Sequence, residues 1–437
     1  MFSFNFSRYA VTESVNRKVR FSCIALLALL FPISTFATIE VGIHPDLERK
    51  QDSGPPRIEK LTDKVYVARA YDPAQFMFVL GDKGITAIDA GFHVETTAQA
   101  LADFRKMTGS QKPVVAVVYT HGHNDHTGGV RALIPEDKVG KTPIYALSNW
   151  RRYQDEVVKP TFFMNMQRRE RQFDLERLYD GKRLPYPMNP FAANAKQVSY
   201  LPPTVELDIE QLEEKEVIID GVRYVFVAVH SEIDDLFIVN IPDEKVAYAT
   251  DTVADFFPWI ATARFEMTRR PEGFMEAAEI IATWKPDHLA MGHAPTRIND
   301  PEGIQHLLKV WAAGVRSTID QVTYHANQDH SRDETAGSFR LPAHLDDEPI
   351  MRDYHHSRNT VIRSLWTQVA GWYGGDAIDM VRHYPKDEAR RMVEMVGGEK
   401  AMLERAQKAL DKGDNQWAVQ LTTYLLRLNP EKKEAAL

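Results

Sequence analysis

From Pro113 to Gly129 the chain reads Pro-Val-Val-Ala-Val-Val-Tyr-Thr-His-Gly-His-Asn-Asp-His-Thr-Gly-Gly, and no other run restricts the fold as much. The apolar, β-branched first part predicts a buried strand. It leads straight into three His and one Asp within six residues. A loop at the C-terminal end of a strand can turn all four side chains into one pocket. His121 and His123, two apart on an extended segment, face the same side. Asp125 and His126 belong to the following turn and can reach a second ion. Neutral imidazoles with a carboxylate oxygen suit Zn²⁺, and Fe or Mn less typically. Gly128-Gly129 lets the backbone pass close to such a pocket.

The flanking sequence says what kind of scaffold carries this loop. Lys64–Ala68, Phe76–Leu80 and Ile85–Asp89 are short β-branched runs, predicting three strands separated by turns at Asp72-Pro73 and Gly81–Gly84. Thr96–Met107 predicts a helix with an apolar face at Ala98, Leu101, Phe104 and Met107. A helix-rich insertion occupies roughly 147–195. Strands are predicted again at Glu216–Ile219, Arg223–Val229, Leu236–Val239 and Val246–Tyr248, and strand and helix alternate up to His293. From Pro301 onward the pattern is helical, ending in a hairpin of Glu399–Leu410 and Gln416–Leu428.

The start of the chain reads differently. Arg17, Lys18 and Arg20 precede an apolar core from Ile24 to Ile33, and Thr35-Phe36-Ala37 offers small residues where a signal peptidase cuts. Residues 1–37 are thus expected to be a secretory signal, placing the protein in the periplasm or outside the cell with no stable membrane anchor after cleavage. Residues 38–60 are polar and Pro-rich and predict an extended arm. The lone cysteine, Cys23, lies in the signal, so the mature chain makes no disulfide and binds metal through N and O donors alone. A formal net charge of -8 argues against nucleic acid as a partner.

Thr120-His-Gly-His-Asn-Asp-His-Thr-Gly-Gly129 resembles the T-H-x-H-x-D-H-x-G-G signature of the metallo-β-lactamase superfamily. The resemblance implies an α/β fold, an αββα sandwich, and two divalent metal ions, zinc by expectation. Further family positions match in order. Asp89 in Ile88-Asp-Ala-Gly91 would support the His loop. His230 in Ala228-Val-His-Ser231, Asp251 in Tyr248-Ala-Thr-Asp251 and His293 in Ala290-Met-Gly-His293 would complete the ligands. The implied set is His121, His123 and His230 on one ion, and Asp125, His126 and His293 on the other. Asp251 would bridge, and Asp125 and Asp251 would orient a hydroxide nucleophile formed from water between the ions.

A closer resemblance, covering roughly 60–437, is to the alkylsulfatase group of that superfamily. It rests on Gln111–His121, Tyr200–Thr204 with Ile219–Val222, Asp320–Thr323, Leu341–Leu345, Gly371–Gly375, Val396–Gly398 and Lys412–Trp417. It implies a catalytic domain over 61–300, an all-α dimerisation domain over 301–437, a homodimer, and hydrolysis of a small sulfate ester. That group carries Glu at two metal positions, where this chain is read to have His230 (or the adjacent Ser231) and Asp251. No counterpart of its sterol-carrier-like domain is expected. Hydrolysis of a lactone, β-lactam or phosphoester, or a non-catalytic binding role, are the competing readings. Arg264, Arg269, Arg270 and Arg358 are candidates for contacting an anionic group. Phe256, Phe257 and Trp259 suit either an apolar substrate wall or plain core, and the insertion suits a lid.

Overall fold

The computed structural model describes residues 54–152, 155–156, 159–173, 198–262 and 269–432. The expected signal segment, most of the arm, much of the 147–195 insertion and Arg264 lie outside the described residues.

Two sheets carry the fold. Strands β1 (Arg57–Lys60), β2 (Val65–Arg69), β3 (Phe76–Leu80), β4 (Ile85–Ile88), β5 (Val114–Val118), β6 (Ile144–Leu147) and β7 (Val205–Leu207) form a seven-stranded sheet in chain order. Its first four strands pair antiparallel; β4 to β7 run parallel. Strands β8 (Glu214–Ile219), β9 (Val222–Ala228), β10 (Phe237–Ile241), β11 (Val246–Tyr248), β12 (His288–Ala290) and β13 (Arg297–Ile298) form the second sheet, antiparallel except for the parallel pair β11–β12. β1 falls within the stretch read as an extended arm. Its polar sequence, Arg-Ile-Glu-Lys, is that of a sheet edge, which composition alone does not separate from a loop.

Side-chain alternation places the layers. In β2, β3 and β5, Val65, Val67, Met77, Val79, Ala116 and Val118 face Tyr224, Phe226, Phe237 and Val239 of the other sheet. The intervening Tyr66, Ala68, Phe76, Phe78 and Val117 meet Ala100, Leu101 and Phe104 of α1 (Val94–Thr108) on the opposite face. The second sheet likewise turns Val227, Ile238, Ala247 and Leu289 outward, against later helices. Away from their edge strands, both sheets are buried on both faces, which is the expected αββα sandwich.

A short α2 (Asn124–Thr127) follows the His loop, and α3 (Phe162–Phe173) lies in the insertion. On the outer side of the second sheet, α4 (Pro271–Trp284) packs with α5 (Pro301–Asn327) through Phe274, Ala278, Ile304, Leu308 and Trp311. After α6 (Arg332–Ser338) and α7 (Ala343–Asp346), α8 (Arg358–Ala370) joins the same core through Val361, Ile362 and Leu365. After α9 (Ala377–Met380), helices α10 (Pro385–Val396), α11 (Glu399–Asp411) and α12 (Asn415–Leu428) share a smaller core of Val393, Met402, Leu421 and Leu425. The C-terminal region is thus all helical, as expected. No helix among the described residues is long and apolar enough to cross a membrane.

Candidate metal centre

The ends of the strands converge on one place. β4 delivers Asp89, β5 the loop from Thr120 to His126, β9 the turn at 230–232, β11 Asp251 and β12 His293. All follow the C-terminal edges of their strands, where open α/β sheets collect ligands. Asp89 and Thr250, both without glycine's freedom, hold positive φ of 61° and 52° beside the site. Such strain is tolerated where the surrounding structure enforces it.

Among the described residues two groups of donor atoms form, with atoms in each lying within 4.8 Å of one another: His121, His123, Glu232 and Asp251, and then Asp125, His126 and His293. Asp251 stands between them. Its Oδ2 is 3.7 Å from His121 Nε2 and 3.2 Å from His293 Nε2, and its Oδ1 is 3.3 Å from His126 Nε2. Asp125 Oδ2 is 3.4 Å from His293 Nε2.

Six of the seven expected residues lie in these two groups. His230 is half-buried and in neither; Glu232, two residues on, stands with His121, His123 and Asp251. The cause is how the turn is held. The Arg270 backbone N–H donates to Ser231 O at 2.7 Å, and Gly273 packs so closely under His230 O that a Cβ there would be 2.0 Å away. The His230 N–H donates to Gln211 Oε1 at 2.7 Å. This grip faces Glu232 inward, where the buried Arg269 guanidinium pairs with it.

A second layer orients the donors. The buried Asp89 carboxylate accepts from Thr120 N–H at 2.9 Å and lies 2.8 Å from His126 Nδ1, so His126 presents Nε2 to the centre. Pro73 O, 2.9 Å from His293 Nδ1, fixes that ring the same way. Outer hydrogen bonds of this kind set tautomer and direction in metal-binding histidines. The Trp259 indole N–H donates to Asp251 O at 2.9 Å, and Arg269 donates to Trp259 O at 2.6 Å.

The donor set fits divalent ions. Among the described residues, His126 Nε2, Asp251 Oδ1 and Glu232 Oε2 are buried without a hydrogen-bond partner. Buried polar atoms are seldom left so. The charge balance is equally telling. Burial opposes charge on Asp251, but His293 and His126 hold its carboxyl well below the ordinary range. Burial also opposes charge on His126, yet Asp251 and Asp89 carry it well above an ordinary imidazole. Burial pushes Glu232 up to about 8 against the pull of Arg269, and lowers His123 to about 4. Such a packed set of acids and imidazoles shares protons without cations and exchanges them for cations.

The other candidates resolve differently. Arg270 is engaged by Glu276 at 2.8 Å, and Arg358 by Asp353 at 2.9 Å. Phe256, Phe257 and Trp259 are core residues, and the Trp259 ring meets His293 edge-on with centroids 5.6 Å apart. His355, singled out by nothing in its local sequence pattern, stacks on Phe256 at 5.3 Å and brings the helical region to this wall.

Residues 72–293 match the family model described as the metallo-beta-lactamase superfamily, and residues 331–436 the one described as alkyl sulfatase dimerisation. A linear primary-alkylsulfatase of Pseudomonas sp. is 28% identical over 81% of this chain and 66% of its own length. An alkyl/aryl-sulfatase of Saccharomyces cerevisiae is 27% identical over 86% of this chain and 58% of its own. The solved structure of a stereoselective inverting sec-alkylsulfatase from Pseudomonas sp. superposes with a TM-score of 0.79 at 26% identity, covering 90% of this chain and 62% of that one. The chain spans less than two thirds of these relatives' lengths.

Proposed function

This chain belongs to the metallo-beta-lactamase superfamily, and from that premise we propose that it is a dinuclear metal-dependent hydrolase of alkyl-type sulfate esters. The observation that carries the substrate class is Glu232. The alkylsulfatase group has Glu among its ligands where other superfamily members have His, and the donor group here includes Glu232 in place of His230. Similarity to sulfatases over both the sandwich and the helical region supports the same reading.

In this reading His121, His123, Glu232 and Asp251 hold one ion and Asp125, His126 and His293 the other, zinc being the metal that suits the donors. When bound, two such ions supply Lewis acidity, acidifying water and offsetting charge on an anionic ester. Asp125 and Asp251 orient the attacking water through carboxylate oxygens. Asp89 and Pro73 O keep His126 and His293 aimed, and Arg269 fixes Glu232 while joining it to the Trp259 wall.

Incubating the zinc-loaded protein with a medium-chain alkyl sulfate, beside a lactone and β-lactam panel and a His121→Ala control, tests this. Sulfate release lost in the control is expected. Turnover of a lactone or β-lactam without sulfate release would overturn the substrate class and leave the dinuclear centre standing. The proposal extends to export, resting on residues 17–37. N-terminal sequencing of the exported chain should begin at Thr38, and a retained Met1 in the cell extract alone would count against it.

A further inference from the structure

The turn between β2 and β3, residues 71–75, is buried throughout although it holds Asp72 and Gln75. A buried loop must satisfy its polar groups internally, and where Gln75 satisfies its own is informative. Its side-chain Nε2 donates to Met291 O at 3.0 Å and also to Ala294 O. Its backbone N–H donates to Gly292 O at 2.8 Å. One residue thus grips the loop on both sides of His293. Thr296 Oγ1 donates to Gln75 Oε1 at 3.1 Å, so the amide has one workable orientation: turned over, its oxygen would face two carbonyls. Two residues earlier, Pro73 supplies the carbonyl beside His293 Nδ1.

The same residue connects to the other imidazole of that donor group. Tyr248 OH lies 2.9 Å from Gln75 O and 3.0 Å from Asp89 Oδ2, and Asp89 lies against His126 Nδ1. Gln75, Tyr248 and Asp89 therefore form a buried bracket whose two ends carry His293 and His126. Among the described residues, neither His123 nor Glu232 is hydrogen-bonded to a member of it. His121 meets it only at one remove, through Thr120.

We infer that Gln75 is a positioning residue for one ion and not for both: it sets the spacing of His126 and His293 in the Asp125/His126/His293 group. The inference rests on the dinuclear reading and adds a cause for unequal behaviour of the two ions. A side chain of the same length without donors leaves Met291 O and Ala294 O unpaired, and the 291–294 loop drifts. The ion on that group then weakens, while His121, His123 and Glu232 keep their positions; of the other group only Asp251, which stands beside His126 and His293, lies next to the moving loop.

The test is a zinc titration of the full chain against a competing chelator, with bound metal counted by mass spectrometry. Wild type should take two zinc ions per chain. Gln75→Met should keep one at wild-type affinity and bind the second about 10–100-fold more weakly, the usual effect of removing an outer-layer partner. Tyr248→Phe removes only the linking hydroxyl and should weaken the same step to a smaller extent, so it serves if Gln75→Met does not fold. Equal weakening of both ions, or of neither, in whichever variant folds would overturn the inference. Fewer than two zinc ions on wild type would overturn the dinuclear reading and this inference with it.

Discussion

A carboxylate taken out of water loses its charge unless a cation or hydrogen-bond donors compensate, and Glu232 has two cationic claims on it: the buried Arg269 guanidinium and the ion that its neighbours can hold. Glu232→Gln preserves the size and removes the charge. It should lower zinc affinity at the His121/His123 group by more than the ~10–100-fold typical of an outer-layer change. His230→Ala should leave both affinities unchanged. A chelator-competition titration distinguishes them, and the reverse pattern would return His230 to the ligand set. The run Val-His-Ser-Glu leaves strand β9 with two potential ligands two positions apart. Sequence identifies the turn but not its twist, because the twist is imposed by Ser231 O accepting from Arg270, far along the chain. His121, His123, Asp125 and His126 were legible for the opposite reason: their geometry is set within six residues by the strand they follow.

Among the elements, the turn just after α2 shows how tightly the ligand segment is held. Gly129 has φ of −90°, which any residue adopts, so its lack of a side chain is needed for space. A Cβ there would lie 2.0 Å from Thr97 Oγ1 and 2.2 Å from Ala90 O. Gly129→Ala should therefore destabilise the fold by about 1–3 kcal/mol, the range for overpacking a close-packed interior. Gly337→Ala, in helix α6 with open space around it, should be neutral or raise stability by up to ~1 kcal/mol. Thermal unfolding of the two variants side by side checks both signs, and equal melting temperatures would refute the packing argument. The strands and helices themselves were readable because period-two and period-3.6 patterns report burial directly. The order of the strands was not. That β11 pairs parallel with β12, bringing Asp251 and His293 together, depends on α4 crossing between them.

For the molecule as a whole, the distribution of apolar surface in the helical region is uneven. Helices α5 and α8 spend their apolar faces on the sandwich, and α10 to α12 on each other. Between these two cores, Trp372, Ile378, Met380, Val381 and Tyr384 remain exposed, Val381 at 79% and Tyr384 at 83%. Single exposed apolar residues are ordinary, but a run of this kind marks an interaction surface. It lies inside the segment that matches the alkyl sulfatase dimerisation family. Two copies of this chain joined through it would form a two-fold interface in which each residue meets its own or a reciprocal neighbour. Charges placed there on both copies repel across such a contact. Val381→Asp with Tyr384→Asp should halve the mass measured by light scattering at micromolar concentration. The melting temperature of the sandwich should hold, since neither side chain belongs to either core. A wild-type protein already at monomer mass, or a double variant still at twice that mass, would assign this surface to something other than a second copy. Zinc content of the monomeric variant then separates assembly from the metal centre, because His121, His123, Glu232 and Asp251, and Asp125, His126 and His293, all belong to one copy.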